Sequence, residues 1–129
     1  MDFIYTKTTG KSFAAAVRNV NQEIARAGMK VLHTHDVQKT LAEKGLKIEP
    51  LKIIEFCSAK FAYEFLNINP DLGICLPCKI NVSVRNKQTV VAGLRPTILP
   101  HLFPGVDLGG RPEEIDLIIK NIINNSTRL

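Results

Sequence analysis

No stretch of this 129-residue chain approaches the roughly 18 uninterrupted apolar residues that a helix needs to cross a bilayer, which excludes a membrane-spanning helix. The opening Met1-Asp2-Phe3-Ile4-Tyr5-Thr6-Lys7 lacks the basic start, long apolar run and small-residue cleavage site of an export leader, and this predicts a cytoplasmic protein. Basic runs are missing too. The 17 Lys and Arg outnumber the 12 Asp and Glu, giving a net charge of +5, yet they are scattered from Lys7 to Arg128. That spread predicts a solvated basic surface and argues against a nucleic-acid partner.

Common catalytic patterns are absent as well. There is no H-E-x-x-H zinc pair and no nucleophile elbow, and Gly105 and Gly109-Gly110 lack the Lys and Ser or Thr of a phosphate-binding loop. Glu49, Glu55 and Glu64 stand singly, without the paired carboxylates of acid-base chemistry. General hydrolase chemistry therefore has no motif, and no cofactor is implied. Cysteine is scarce, and three is an odd number, so a disulfide framework is not expected in a reducing compartment. No internal repeat or low-complexity segment occurs.

What is present is the pattern of a folded protein. With 45% hydrophobic and 22% charged residues over a length suited to one domain, residues 1–129 are expected to bury an ordinary core without metal or disulfide staples. Phe3 to Thr6 has the β-branched and aromatic content of a strand, broken by Thr9-Gly10-Lys11. Ser12 is placed to cap a helix in which Phe13, Val17, Val20 and Ile24 share one face before Gly28 ends it. Lys30 to His35 reads as a second strand, and Asp36 as the cap of a short helix that stops at Gly45. Leu51 to Phe56 makes a third strand after Pro50, whose missing N–H bars it from a ladder. Ser58 then caps a helix with Phe61, Ala62, Phe65 and Leu66 on one side, closed by Asn69-Pro70-Asp71.

After Gly73 the period changes to two. Cys78, Ile80, Val82 and Val84 share one side of a strand, and Lys79, Asn81, Ser83 and Arg85 share the other. Asn86-Lys87 turns the chain into a hairpin partner, Thr89 to Leu94, with the register left open. Residues 95–111 hold three prolines and three glycines, which predicts a long irregular loop, functional or mobile. A last helix starts at Pro112, with Glu113 and Glu114 at its positive end and Ile115, Ile118, Ile119 and Ile122 as its apolar stripe; Asn125-Ser126-Thr127 is expected to fray. These elements predict an α+β fold: one antiparallel sheet covered on one face by the first and last helices, its other face partly open.

The order of these signals resembles the domain of unknown function 302 family. The likeness rests on Ser12-Phe13 opening the first helix, Gly28-Met29-Lys30-Val31-Leu32 entering the second strand, Cys57 before Phe61-Ala62, and Leu76-Pro77-Cys78 leading Lys79-Ile80-Asn81-Val82. It covers about residues 3–95. It implies a small sheet-and-helix domain with a fold like that of the TATA-binding-protein class, which carries no implication of DNA binding. Cys75 departs from the usual apolar residue before Leu-Pro-Cys, and the Pro100 to Arg111 stretch is longer than the family pattern. The resemblance thus points to Cys57 and Cys78 as its sulfur pair.

Cys75 and Cys78 have the C-x-x-C spacing of redox dithiols and zinc half-sites. A redox pair needs a helix N-terminus to lower the first thiol's pKa, however, and here a strand follows, so Cys78 reads as a packed thiol beside Ile80 and Val82. Cys57, just ahead of a helix, has the better setting for a thiolate. If the strands carrying Cys57 and Cys78 are neighbours, three sulfurs converge, and His33, His35 or His101 is available as a fourth zinc ligand. His33 and His35, two apart in a strand, face one side and are candidates to clamp a metal or anion, while His101 lies in the long loop, placed to close over a ligand.

The expected function is a small cytoplasmic binding or accessory domain, holding a small ligand or protein partner between the open sheet face and the Pro100 to Gly110 loop. The alternative is a thiol-dependent redox, sulfur-carrier or metal-binding protein centred on Cys57 and Cys78, with Cys75 assisting. An uncovered sheet face also suits a homodimer.

Overall fold

Ser12 holds the amide of Ala15 on its hydroxyl at 3.1 Å, and the helix it caps, α1 (Phe13–Arg26), buries Ala16, Val20 and Ile24 at the expected spacing. The computed structural model describes residues 2–129. At the far end of α1, Gly28 at φ +81° lets its own N–H reach Ala25 O and that of Met29 reach Ile24 O, satisfying the last carbonyls. Asp36 and Gly45 repeat the arrangement around α2 (Val37–Ala42), with the Lys39 amide 3.0 Å from the Asp36 carboxylate. Ser58 caps α3 (Ala59–Ile68), whose Phe61 and Phe65 enter the core while Leu66 stays exposed.

Five strands form one sheet: β1 (Ile4–Thr9), β2 (Lys30–Asp36), β3 (Leu51–Cys57), β4 (Cys78–Arg85) and β5 (Gln88–Leu94). Their order across the sheet is β1-β5-β4-β3-β2, and every neighbouring pair is antiparallel. The first strand runs three residues past the expected Thr6 because it pairs along its whole length, from Ile4 opposite Leu94 to Thr9 opposite Thr89. Asn86 and Lys87, at φ 51° and 64°, make the two-residue turn that sets Arg85 opposite Gln88, closing the open question of register.

One face of the sheet carries the core. Phe56 and Ile54 of β3, Ile80 and Val82 of β4 and Val91 of β5 meet α1 and the last helix, α5 (Arg111–Thr127). From α5 come Ile115, Ile119, Ile122 and Ile123, all buried, whereas Ile118 is only half-buried. The expected fraying of Asn125 to Thr127 is corrected. Ser126 is fully buried, and the chain end is tied to β1 by Thr9 Oγ1, which donates to Thr127 O at 2.8 Å. Tyr5 adds a bond from its hydroxyl to Asn124 Oδ1 at 2.8 Å.

Residues 95–111 also depart from expectation. Rather than an irregular loop, they contain a 3₁₀ turn (Pro96–Ile98) and a short helix α4 (Leu99–Leu102). Two of the three prolines, Pro96 and Pro100, sit in first turns, where a missing N–H costs nothing. Leu99 and Leu108 are buried, Phe103 and Val106 pack on the core, and two ion pairs clamp the segment's ends. Arg95 grips Asp116 through Nε and Nη2, both at 3.1 Å, and Arg111 Nε lies 3.1 Å from Glu64 Oε1.

A second 3₁₀ turn, Pro70–Cys75, lies between α3 and β4, capped by the Asn69 side chain on the Asp71 amide. Leu72 anchors it in the core. It leads through the Leu76-Pro77 cis peptide into β4.

Candidate functional site

The ladder between β4 and β5 starts at the hairpin and stops where Ile80 faces Gly93. Beyond that rung the two strands part. β5 stays with the first strand, Leu94 opposite Ile4 and the Arg95 amide on Phe3 O, while β4 stays with β3, Lys79 opposite Glu55 and Cys78 opposite Phe56. A Cβ at Gly93 would be tightly packed, 3.3 Å from both Ile119 and Ile123 of α5.

The split opens a pocket of about 240 Å³. Cys78 and Lys79 form one wall and Leu94 and Pro96 the other; Cys75, Leu76 and Pro77 come from the preceding turn, and Phe65, Leu99 and Ile115 close the floor. Ile74 and Leu94 stand at the rim, 82% and 51% exposed. Such exposure of large apolar side chains beside an apolar hollow is what a bound molecule covers. Lys79 is the only charged residue in the lining, and it has no ion-pair partner within 4 Å among the described residues. Lys79 and Leu94 also line a shallower hollow with Ile4, Asn81 and Ala92, so the pocket mouth runs onto the open face of the sheet.

The three sulfurs are free thiols. Cys75 and Cys78 both line the pocket, while Cys57, at the end of β3, does not. Burial pushes the Cys78 thiol up to about 11, helped by the nearby Cys57 and opposed by Lys79. The Cys57 thiol is raised too, again by burial. A backbone hydrogen bond at Ser58 works the other way on the Cys57 thiol, and the Ser58 hydroxyl caps α3 on the Phe61 amide at 3.5 Å. Among the described residues no three Cys, His, Asp or Glu side chains gather to hold a metal ion, so the zinc set of three thiolates and a histidine is not assembled.

The histidines lie elsewhere. A bulge at Leu32 places His33 opposite Glu55 and His35 opposite Ile53, both on the open face, with their rings edge to face at 4.3 Å. His35 Nε2 is 3.0 Å from Glu55 Oε1, so the carboxylate across from Lys79 is already engaged. With α2, this part of the sheet borders a hollow of about 330 Å³ lined by His35, Val37, Leu41, Ile53, Glu55 and Lys79. His101 belongs to α4, and its ring lies 5.1 Å from that of Phe3.

Sequence reading missed the pocket because it depends on two strands parting, which no local pattern reports. The one available signal was Leu76-Pro77 followed by a strand, with Leu94-Arg95-Pro96 ending another: each proline marks where a strand can no longer donate to a partner.

These features define an α+β protein whose single antiparallel sheet is backed by helices and split at one end around an apolar pocket. The chain belongs to the family described as Domain of unknown function DUF302, which matches residues 5–125. It is similar to a crystal structure of an uncharacterized conserved DUF302 protein from Bacillus stearothermophilus, at 26% identity and a TM-score of 0.81, over 98% of this chain and 97% of that one. Among curated proteins no match is found. The family match reaches well past residue 95 and takes in most of α5.

Proposed function

We propose that this protein is a small cytoplasmic binding domain whose ligand occupies the pocket between the parted ends of β4 and β5. The observation that carries this reading is the joining of a mostly apolar lining with exposed Ile74 and Leu94 at its rim. An apolar cavity of about 150 Å³ is enough to hold a benzene-sized molecule, and this one measures about 240 Å³. The ligand's place thus moves from the Pro100 to Gly110 stretch to the residues just before it, Pro96, Ile98 and Leu99. Among the described residues no helix is long and apolar enough to cross a membrane.

The test is an NMR titration with toluene, followed at the backbone amides of residues 74–79 and 94–99. Saturable shifts there, lost in an Ile98→Trp variant of unchanged fold, are the expected result. Shifts scattered over the surface, or none, would remove the pocket reading.

The thiol-dependent reading centred on Cys57 and Cys78 has less support, because burial raises both thiols. A homodimer through the open face, where Ile4 and Leu94 are exposed, remains the competing use of that surface, and sizing in solution separates it from a monomeric binder.

A further inference from the structure

Resting on that pocket reading, we infer that the ligand is an amphipathic monoanion, a short-chain or small aromatic carboxylate, with its head on Lys79 and its body between Phe65 and Ile115. The pocket has one polar end and one apolar end. Its floor is Phe65, Leu99 and Ile115, and in its wall the half-buried Cys78, its thiol pushed up to about 11, keeps its proton at physiological pH. Lys79, exposed on β4, is the single charge of the lining.

The surrounding charges favour an anion there. No Asp or Glu lines the pocket. Glu55, which faces Lys79 across the β3–β4 ladder, lies against His35 at 3.0 Å and makes no ion pair with Lys79 within 4 Å. A Lys ammonium left without a partner beside an apolar wall has donors to spare, and a carboxylate that reaches it is held in a setting drier than open water. A cation of the same shape would meet like charge, and a neutral alcohol would gain the floor but not the head.

The proposal and the reading beneath it fail differently. Octanoate, octanol and octylamine share a chain and differ in the head, and their binding can be measured by titration calorimetry on the full-length protein. The wild type is expected to bind octanoate about tenfold more tightly than octanol, as a charge-assisted hydrogen bond at a pocket mouth allows, and octylamine least. Added salt should shrink that preference without touching octanol. Lys79 is exposed, so Lys79→Met should fold normally; it should bring octanoate down to octanol and leave octanol as it was. Lys79→Glu should reverse the order of octanoate and octylamine. Equal binding of octanoate and octanol to the wild type would overturn the anion inference and leave the pocket in place. Binding of none of the three would overturn both.

Discussion

Gly93 and Ile80 face each other on the last rung that β4 and β5 share, and the space a side chain at Gly93 would need is filled by Ile119 and Ile123 of α5, 3.3 Å from where its Cβ would stand. The close approach of α5 to the sheet at this point also closes the back of the pocket through Ile115, one turn earlier on the same helix. A Gly93→Ala substitution makes the Ile119 and Ile123 side chains give by a few tenths of an ångström. It is expected to cost about 1–3 kcal/mol, the range for overpacking a filled core, and chemical denaturation measures it. Wild-type stability would show that α5 yields more easily than its packing implies.

The hairpin turn offers the opposite case. Lys87 adopts φ 64°, a left-handed conformation that is unfavourable for any residue with a Cβ. Lys87→Gly turns Asn-Lys into the Asn-Gly pair that such turns prefer, and should stabilise the protein by about 0.5–1 kcal/mol. A shift of the denaturation midpoint upward with unchanged slope is the expected readout.

Residues 95–111 are expected to owe their order to Leu108, which is buried among the core residues. Leu108→Ala removes that anchor and leaves a cavity, at a cost of about 2–5 kcal/mol. Limited proteolysis should then cut first near the Pro104-Gly105 turn. Cleavage rates equal to wild type would place the anchor elsewhere, in the Arg95 and Arg111 ion pairs.

The Cys78 thiol predicts a dependence on alkaline pH. Its value in the fold is about 11, against 9.0 for an unburied thiol. Between those values the unfolded chain has released the proton and the folded one retains it, so unfolding is favoured as the pH rises. The contribution is therefore complete below pH 9 and is lost progressively toward pH 11. Cys78→Val keeps the packing and removes the titration; its stability should fall less than that of the wild type across this window. In the native protein at neutral pH, alkylation of Cys78 should be slower than in the unfolded chain.

Much of the fold was legible because its signals are local. Ser12, Asp36 and Ser58 cap helices through bonds to amides three residues on, and Gly28 and Gly45 end two of them through a backbone angle that suits glycine. The alternation of Cys78 to Val84 marks a strand with one buried face whatever lies on either side. The candidate site was less legible. His33, His35 and the three cysteines stood out by type, yet type says nothing about desolvation, and burial is what raises the Cys57 and Cys78 thiols.

Taken alone, the order of residues determined where helices begin and stop, which faces are apolar, and that strands and helices share one α+β layer, because caps, turns and periodicity act over a few residues. Tertiary structure alone decided that β5 inserts between β1 and β4, that Ser126 is buried rather than frayed, and that β4 and β5 part beyond Gly93. Those outcomes depend on competition between distant segments for the same hydrogen bonds and the same apolar surface, and the pocket is what remains where neither strand wins the other.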